Sequence, residues 1–103
     1  MSARKSDVAS LQRNAGAAAA MLSALANERR LMILCLLIAE EELTAGRLAE
    51  EVELSQSACS QHLAKMREEG LVTFRREAQS IHYRIADQNV KRLITTLKSI
   101  YCD

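Results

Sequence analysis

A mainly α-helical fold with one small β-hairpin is the fold class this sequence predicts, and three observations carry it. Ser55–Met66 has a capped start, an apolar stripe at helical spacing and a polar opposite face. A glycine and a short, arginine-tipped alternating segment follow it. The chain of 103 residues contains no proline and is 49% hydrophobic, which suits a helical body. These features predict a winged helix-turn-helix of five helices plus a wing, in a single domain spanning 1–103 with residues 1–7 as a flexible N-terminal tail.

The first helix is read from Val8, Leu11, Ala15, Ala18, Leu22 and Leu25, which fall on alternating three- and four-residue steps and make a narrow heptad seam. Small residues in its middle let another helix approach closely. Arg4 and Lys5 ahead of AGAAAAMLSALA imitate a short secretory signal, but the seam, with Arg13 and Asn14 on its outside, favours a helix of a cytoplasmic chain. No stretch is long enough to span a bilayer. Asn27 caps the second helix, whose Leu31–Ile38 (LMILCLLI) is apolar on every side and is expected at the centre of the core. Thr44 caps a short third helix, AGRLAEEV, and Glu53–Leu54 turn the chain into the fourth. Two helices joined by so short a connection, the second polar on one face, form a helix-turn-helix.

The fourth helix starts at the cap Ser55 and buries Cys59, Leu63 and Met66. Its other surface carries Gln56, Ser57, Ser60, Gln61, His62 and Lys65, side chains short or forked enough to read base edges in a major groove. Gly70 stops the helix and Leu71 is placed to pack back on Met66. In the next segment Val72 and Phe74 alternate with Thr73 and Arg75, and Ile81, Tyr83 and Ile85 alternate with His82 and Arg84. Residues 76–80 are expected to form a short polar loop between the two strands. Glutamine and serine faces, and arginines near turns, are usually just solvated. It is the order of helix, stop and hairpin that favours DNA. On that reading Gln56, Ser57, Ser60, Gln61 and His62 set base preference, Lys65, Arg75 and Arg76 grip phosphates, and Gln79 in the loop joins the interface.

Asp87 caps the fifth helix, whose stripe of Val90, Leu93, Ile94, Leu97, Ile100 and Tyr101 wants a partner. Pairing it with the first helix across a two-fold axis predicts a homodimer. A chain of this length buries only about 60–65% of its unfolded surface, so a second copy would help. Three aromatic residues are too few for a stacking platform for single strands, and a net charge of +1 argues against a general polyanion binder. Charge is uneven, however, with acidic clusters at Glu40–Glu42 and Glu50, Glu51, Glu53 and basic residues in the reading segment.

Of the three cysteines, Cys59 falls on the buried stripe and Cys35 lies in an apolar helix, so both read as core residues, whereas Cys102 near the chain end is expected to be more exposed. From Ala18 onward, LANERRLMILCLL, LTAGRLAEEVELSQSACSQHLAKMREEGLV and REAQSIHYRI resemble the ArsR/SmtB family of winged-helix repressors, and within it the persulfide- and redox-sensing branch. The resemblance implies a dimer on a roughly palindromic operator in double-stranded DNA. It further implies release when a persulfide, polysulfide or other oxidant links Cys35 to Cys102.

Metal ligands typical of other members are missing: GRLAE stands where a Cys-x-Cys pair belongs, and the only histidines are His62 and His82. No cofactor is expected. A small thiol enzyme using Cys102 is the competing class, but the chain has no Cys-x-x-Cys, no phosphate-cradling glycine loop, and no histidine beside Cys102 in sequence. A constitutive or anti-repressing DNA binder stays open on the same residues.

Overall fold

A computed structural model describes residues 5–102. Its order is α1 (Lys5–Leu25), α2 (Glu28–Glu40), β1 (Leu43–Thr44), α3 (Ala45–Glu51), α4 (Gln56–Glu68), β2 (Val72–Glu77), β3 (Ser80–Ile85) and α5 (Gln88–Tyr101). This is the winged helix-turn-helix anticipated from the helical stripes. Helix α1 begins at Lys5, inside the stretch 1–7 expected as a flexible tail, with Asp7 in its first turn, where a carboxylate meets the positive end of the helix dipole. Residues 1–4 of that tail lie outside the described residues.

The helix starts are set by side-chain caps. Asn27 accepts from the amides of Arg29 and Arg30, Thr44 from Arg47, Ser55 from Ala58 and Asp87 from Asn89. Each cap satisfies amides that the helix itself leaves unpaired. Helix α4 ends as its glycine predicts. Gly70 has φ 77, its amide donates to the Arg67 carbonyl at 3.0 Å and the Leu71 amide to Met66 at 2.9 Å, the paired bonds of a Schellman ending. Helix α3 ends the same way around Glu53 (φ 55), with Leu54 donating to Ala49 at 3.0 Å, so a bulky residue stands where glycine would cost least.

The sheet has the order β1-β3-β2, antiparallel throughout. β1 was not foreseen, since a two-residue strand carries no alternation to read. The hairpin is also tighter than the expected loop at 76–80: Glu77 pairs with Ser80, so only Ala78 and Gln79 turn the chain, with Ala78 at φ 57. Register puts Leu43, Phe74 and Tyr83 on one face and Thr44, Arg75 and His82 on the other.

The core joins Ile33, Leu34 and Leu37 of α2 to Leu48 of α3, Cys59, Leu63 and Met66 of α4, Val72 of β2, and Val90 and Ile94 of α5. α2 is therefore central, as its apolar composition implied. Two arginines of its first turn pin neighbouring elements: Arg29 donates to the Val52 carbonyl at 2.6 Å, and Arg30 reaches the Ala24 carbonyl at 3.0 Å and Glu69 at 2.9 Å. α1 enters the core only near its end, through Leu25 with Met21 and Ala24 beside it. Among the described residues no helix is long and apolar enough to cross a membrane.

Candidate nucleic-acid interface and thiol pocket

The outer surface of α4 presents Gln56, Ser57, Ser60, Gln61 and Lys65 to solvent, while His62 is half-buried. Gln56 leans toward the start of α3, its side-chain nitrogen 3.7 Å from where a Cβ on Gly46 would stand. The stripe beneath is wholly buried, which fixes the rotation of the helix and hence which residues point outward.

The wing arginines separate. Arg75, expected to grip phosphate, is instead held by two carboxylates: its Nε donates to both oxygens of Glu42 at 3.0 Å, and Nη1 meets Glu77 at 2.9 Å. The hydrogen bond from Arg75 holds the Glu42 carboxyl below the usual carboxylate range, and the two acids raise the Arg75 pKa further above its already high value. The physical reason is the third strand. β1 lies against β3 and brings the acidic end of α2 onto the Arg75 face of the sheet, and a planar guanidinium matches a carboxylate fork. Glu42 is set by a tight turn at Glu41 (φ 64, ψ −51), across which its amide donates to the Glu40 carbonyl at 2.7 Å. Arg76 is exposed on the opposite face, paired across the hairpin with Ile81, and has no ion pair among the described residues. Gln79 is exposed in the turn.

α4 and the wing are also joined by a stack that sequence reading missed. The Arg67 guanidinium lies 4.1 Å from the Phe74 ring centroid, and Phe74 meets Tyr83 edge-on at 5.5 Å. Nothing in the spacing of an arginine and a later phenylalanine marks such a contact. The same stack puts Arg76 on the wing face that turns toward α4, since Phe74 and Arg76 alternate on one side of β2.

A second feature lies away from this surface. Leu31 and Cys35 of α2, together with Ile94, Leu97, Lys98, Tyr101 and Cys102 at the end of α5, line an apolar pocket of about 240 Å³. The two cysteines, free thiols far apart in sequence, share it. Burial pushes the Cys35 thiol up, the Lys98 ammonium draws it back, and a thiolate at Cys102 would push it up again. Cys102 is exposed and Cys35 half-buried, while Cys59 is fully buried in the core, where burial raises its pKa as well. Among the described residues no group of three or more His, Cys, Asp or Glu is arranged to hold a metal ion.

Residues 27–73 match the model of the bacterial regulatory protein arsR family. Over 92 residues, 89% of this chain and 84% of the relative, the sequence is 48% identical to the transcriptional activator HlyU of Vibrio cholerae. A structure of reduced HlyU from that organism superposes with a TM-score of 0.84 and 47% identity, covering 91% of this chain and 98% of that one. The HTH-type transcriptional regulator YgaV of Escherichia coli K12 is 47% identical over 96 residues, 93% of this chain and 97% of its own length. The transcriptional repressor BigR of Xylella fastidiosa superposes with a TM-score of 0.83 at 31% identity, covering 91% of this chain and 95% of that one. Sequence and fold agree over nearly the whole length, and the chain belongs to the ArsR family as an ArsR/SmtB-type winged-helix, DNA-binding transcriptional regulator and not an enzyme.

Proposed function

We propose that this regulator is a homodimeric repressor whose Cys35 and Cys102 form a dithiol switch for reactive sulfur species. The observation that carries the reading is the shared pocket: a half-buried thiol on α2 and an exposed thiol at the end of α5 face one small apolar space. A bridge there ties the central helix of the core to the helix whose outer face carries Ile100 and Tyr101, exposed by 64% and 80%. With Val8, Leu11 and Leu22 of α1, these residues offer the apolar area that a second copy would cover.

In the reduced dimer, two α4 helices spaced about 34 Å apart, one turn of DNA, enter successive major grooves of a palindromic operator. Gln56, Ser57, Ser60, Gln61 and His62 read bases, while Lys65 and Arg76 hold phosphates, with Gln79 at the wing tip. Arg75, neutralised by Glu42 and Glu77, sets the posture of the wing rather than gripping the backbone. The exposed Cys102 thiolate attacks the terminal sulfur of a hydropersulfide R–S–S–H, forming Cys102–S–S–H and releasing the thiolate R–S⁻. Cys35 thiolate then attacks the Cys102 sulfur, closing the disulfide and releasing hydrosulfide. If both cysteines become persulfides, one displaces hydrosulfide from the other and leaves a trisulfide. The bridge favours a dimer shape that fits the operator less well, and a difference of a few kcal/mol between shapes is enough for a useful switch.

The test is to treat the reduced wild type and the Cys35→Ser, Cys102→Ser and Cys59→Ser variants with a persulfide donor, follow operator release and weigh the digested peptides. Bridge formation and release are expected in the wild type and in Cys59→Ser alone. Full release by either of the other two variants rules the switch out. The kinship with an activator favours a second reading, in which the same DNA binding displaces another repressor. Transcription of a target promoter with purified polymerase separates them, since only direct repression lowers output in the absence of a second repressor.

A further inference from the structure

Resting on the thiol-switch reading above, we infer that Lys98 is the third working member of the Cys35–Cys102 pocket, a positioning cation for the sulfur anions that form and leave there during the switch. Lys98 precedes Cys102 by one helical turn, so the two share a face of α5, and the Cys102 amide donates to the Lys98 carbonyl at 2.9 Å. Cys35 faces both from α2 across the pocket.

The rest of the lining is Leu31, Ile94, Leu97 and Tyr101, with no acid among them, and Lys98 has no ion pair among the described residues. A half-buried lysine in an apolar lining, with no ion-paired carboxylate among the described residues, is a ready counter-ion for an anion that comes and goes. Two such anions occur in the switch: the thiolate of Cys35 and the hydrosulfide that leaves when it attacks. The groups that act on Cys35 are Lys98 and Cys102, both from α5, with Tyr101 in the same lining. Desolvation alone would leave Cys35 a poor nucleophile, and the nearby cation partly offsets it.

Lys98 therefore works in the resolving step. Cys35–S⁻ attacks the Cys102 sulfur of Cys102–S–S–H, the sulfur–sulfur bond to the terminal SH breaks, and hydrosulfide leaves with the electron pair beside the ammonium. Lys98 keeps its proton throughout. The pocket volume of about 240 Å³ and its apolar walls fit a short sulfur chain or a small alkyl persulfide.

The experiment compares reduced wild-type protein with Lys98→Met, Lys98→Gln and Lys98→Arg. Bridging by sodium tetrasulfide is followed by stopped flow and peptide mass, and alkylation of Cys35 by iodoacetamide is followed against pH in the Cys102→Ser background. Methionine and glutamine at this position should slow bridging several-fold, as the thiolate fraction of Cys35 falls, and move the Cys35 alkylation profile to higher pH. Arginine should restore both, and operator affinity of the reduced proteins should not change. Wild-type rates and profiles in both neutral variants would overturn the inference, as would loss of operator affinity in their reduced forms. A wild type that bridges without leaving the operator defeats the switch reading, while the rates still decide the role of Lys98. If the wild type does not bridge at all, the alkylation profile still decides it.

Discussion

The half of the molecule running from α2 to β3 closes its core with the inner face of α5, whereas α1 and the outer face of α5 leave apolar residues exposed. In the first half Ile33, Leu34, Leu48, Leu63 and Met66 are fully buried, the helix starts are capped by their own side chains, and no buried side-chain nitrogen or oxygen lacks a partner among the described residues. In the second, apolar positions of equally good helical period stay exposed, Leu11 and Leu22 by 61% each. Periodicity reports that a face must be buried and not against what. The closed half holds the outer surface of α4 in one shape, and the open half leaves apolar area uncovered. The thiol pocket lies where the two meet, between α2 of the closed half and the end of α5.

Truncation inside the closed half should have the largest effect. Leu63→Ala is expected to destabilise the fold by about 2–5 kcal/mol, through lost transfer energy and the cavity left under α4. Urea unfolding measures it, and the same substitution at Leu11 should change monomer stability by less than about 0.5 kcal/mol. Equal losses at the two positions would break the comparison.

Within the reading surface, Gln61→Ala should cost about 1–3 kcal/mol of operator affinity and relax base preference, read by titration against operator and single-base variants. Arg76→Ala should weaken all sequences alike and lower the slope of log affinity against log salt by about one, whereas Arg75→Ala should leave that slope nearly unchanged. Equal slope changes for the two arginines would return Arg75 to the phosphate contacts.

The Glu42–Arg75 clamp has a signed pH dependence. The bonded Glu42 carboxyl sits below its ordinary value of 4.5, so what the clamp contributes is complete above that value and is lost as pH falls through the lower folded pKa. The wing should loosen in acid and not near neutrality, and Glu42→Gln should remove that acid step from an NMR titration of the wing amides. The smallest effect belongs to Glu53→Gly in the turn between α3 and α4. Relief of its positive φ should stabilise the fold by about 0.5–1 kcal/mol in the same urea assay.

Much of this protein is settled by interactions within a few residues, and those parts were legible before any coordinates. Asn27, Thr44, Ser55 and Asp87 cap their helices because a side-chain oxygen reaches amides two or three residues ahead, and Gly70 ends α4 because a positive φ costs it little. The stripe of Cys59, Leu63 and Met66 likewise decided which side of α4 turns outward. Tertiary packing alone decided the rest. β1 has no local signature, yet its pairing with β3 carries Glu42 to Arg75 and gives that arginine a carboxylate partner far away in sequence. Arg67 finds Phe74 only because α4 packs against β2. Cys35 and Cys102 come to one pocket only because α2 packs against α5. A cap or a stripe is written in the chain at its own spacing, whereas a contact between distant residues depends on how whole faces bury one another.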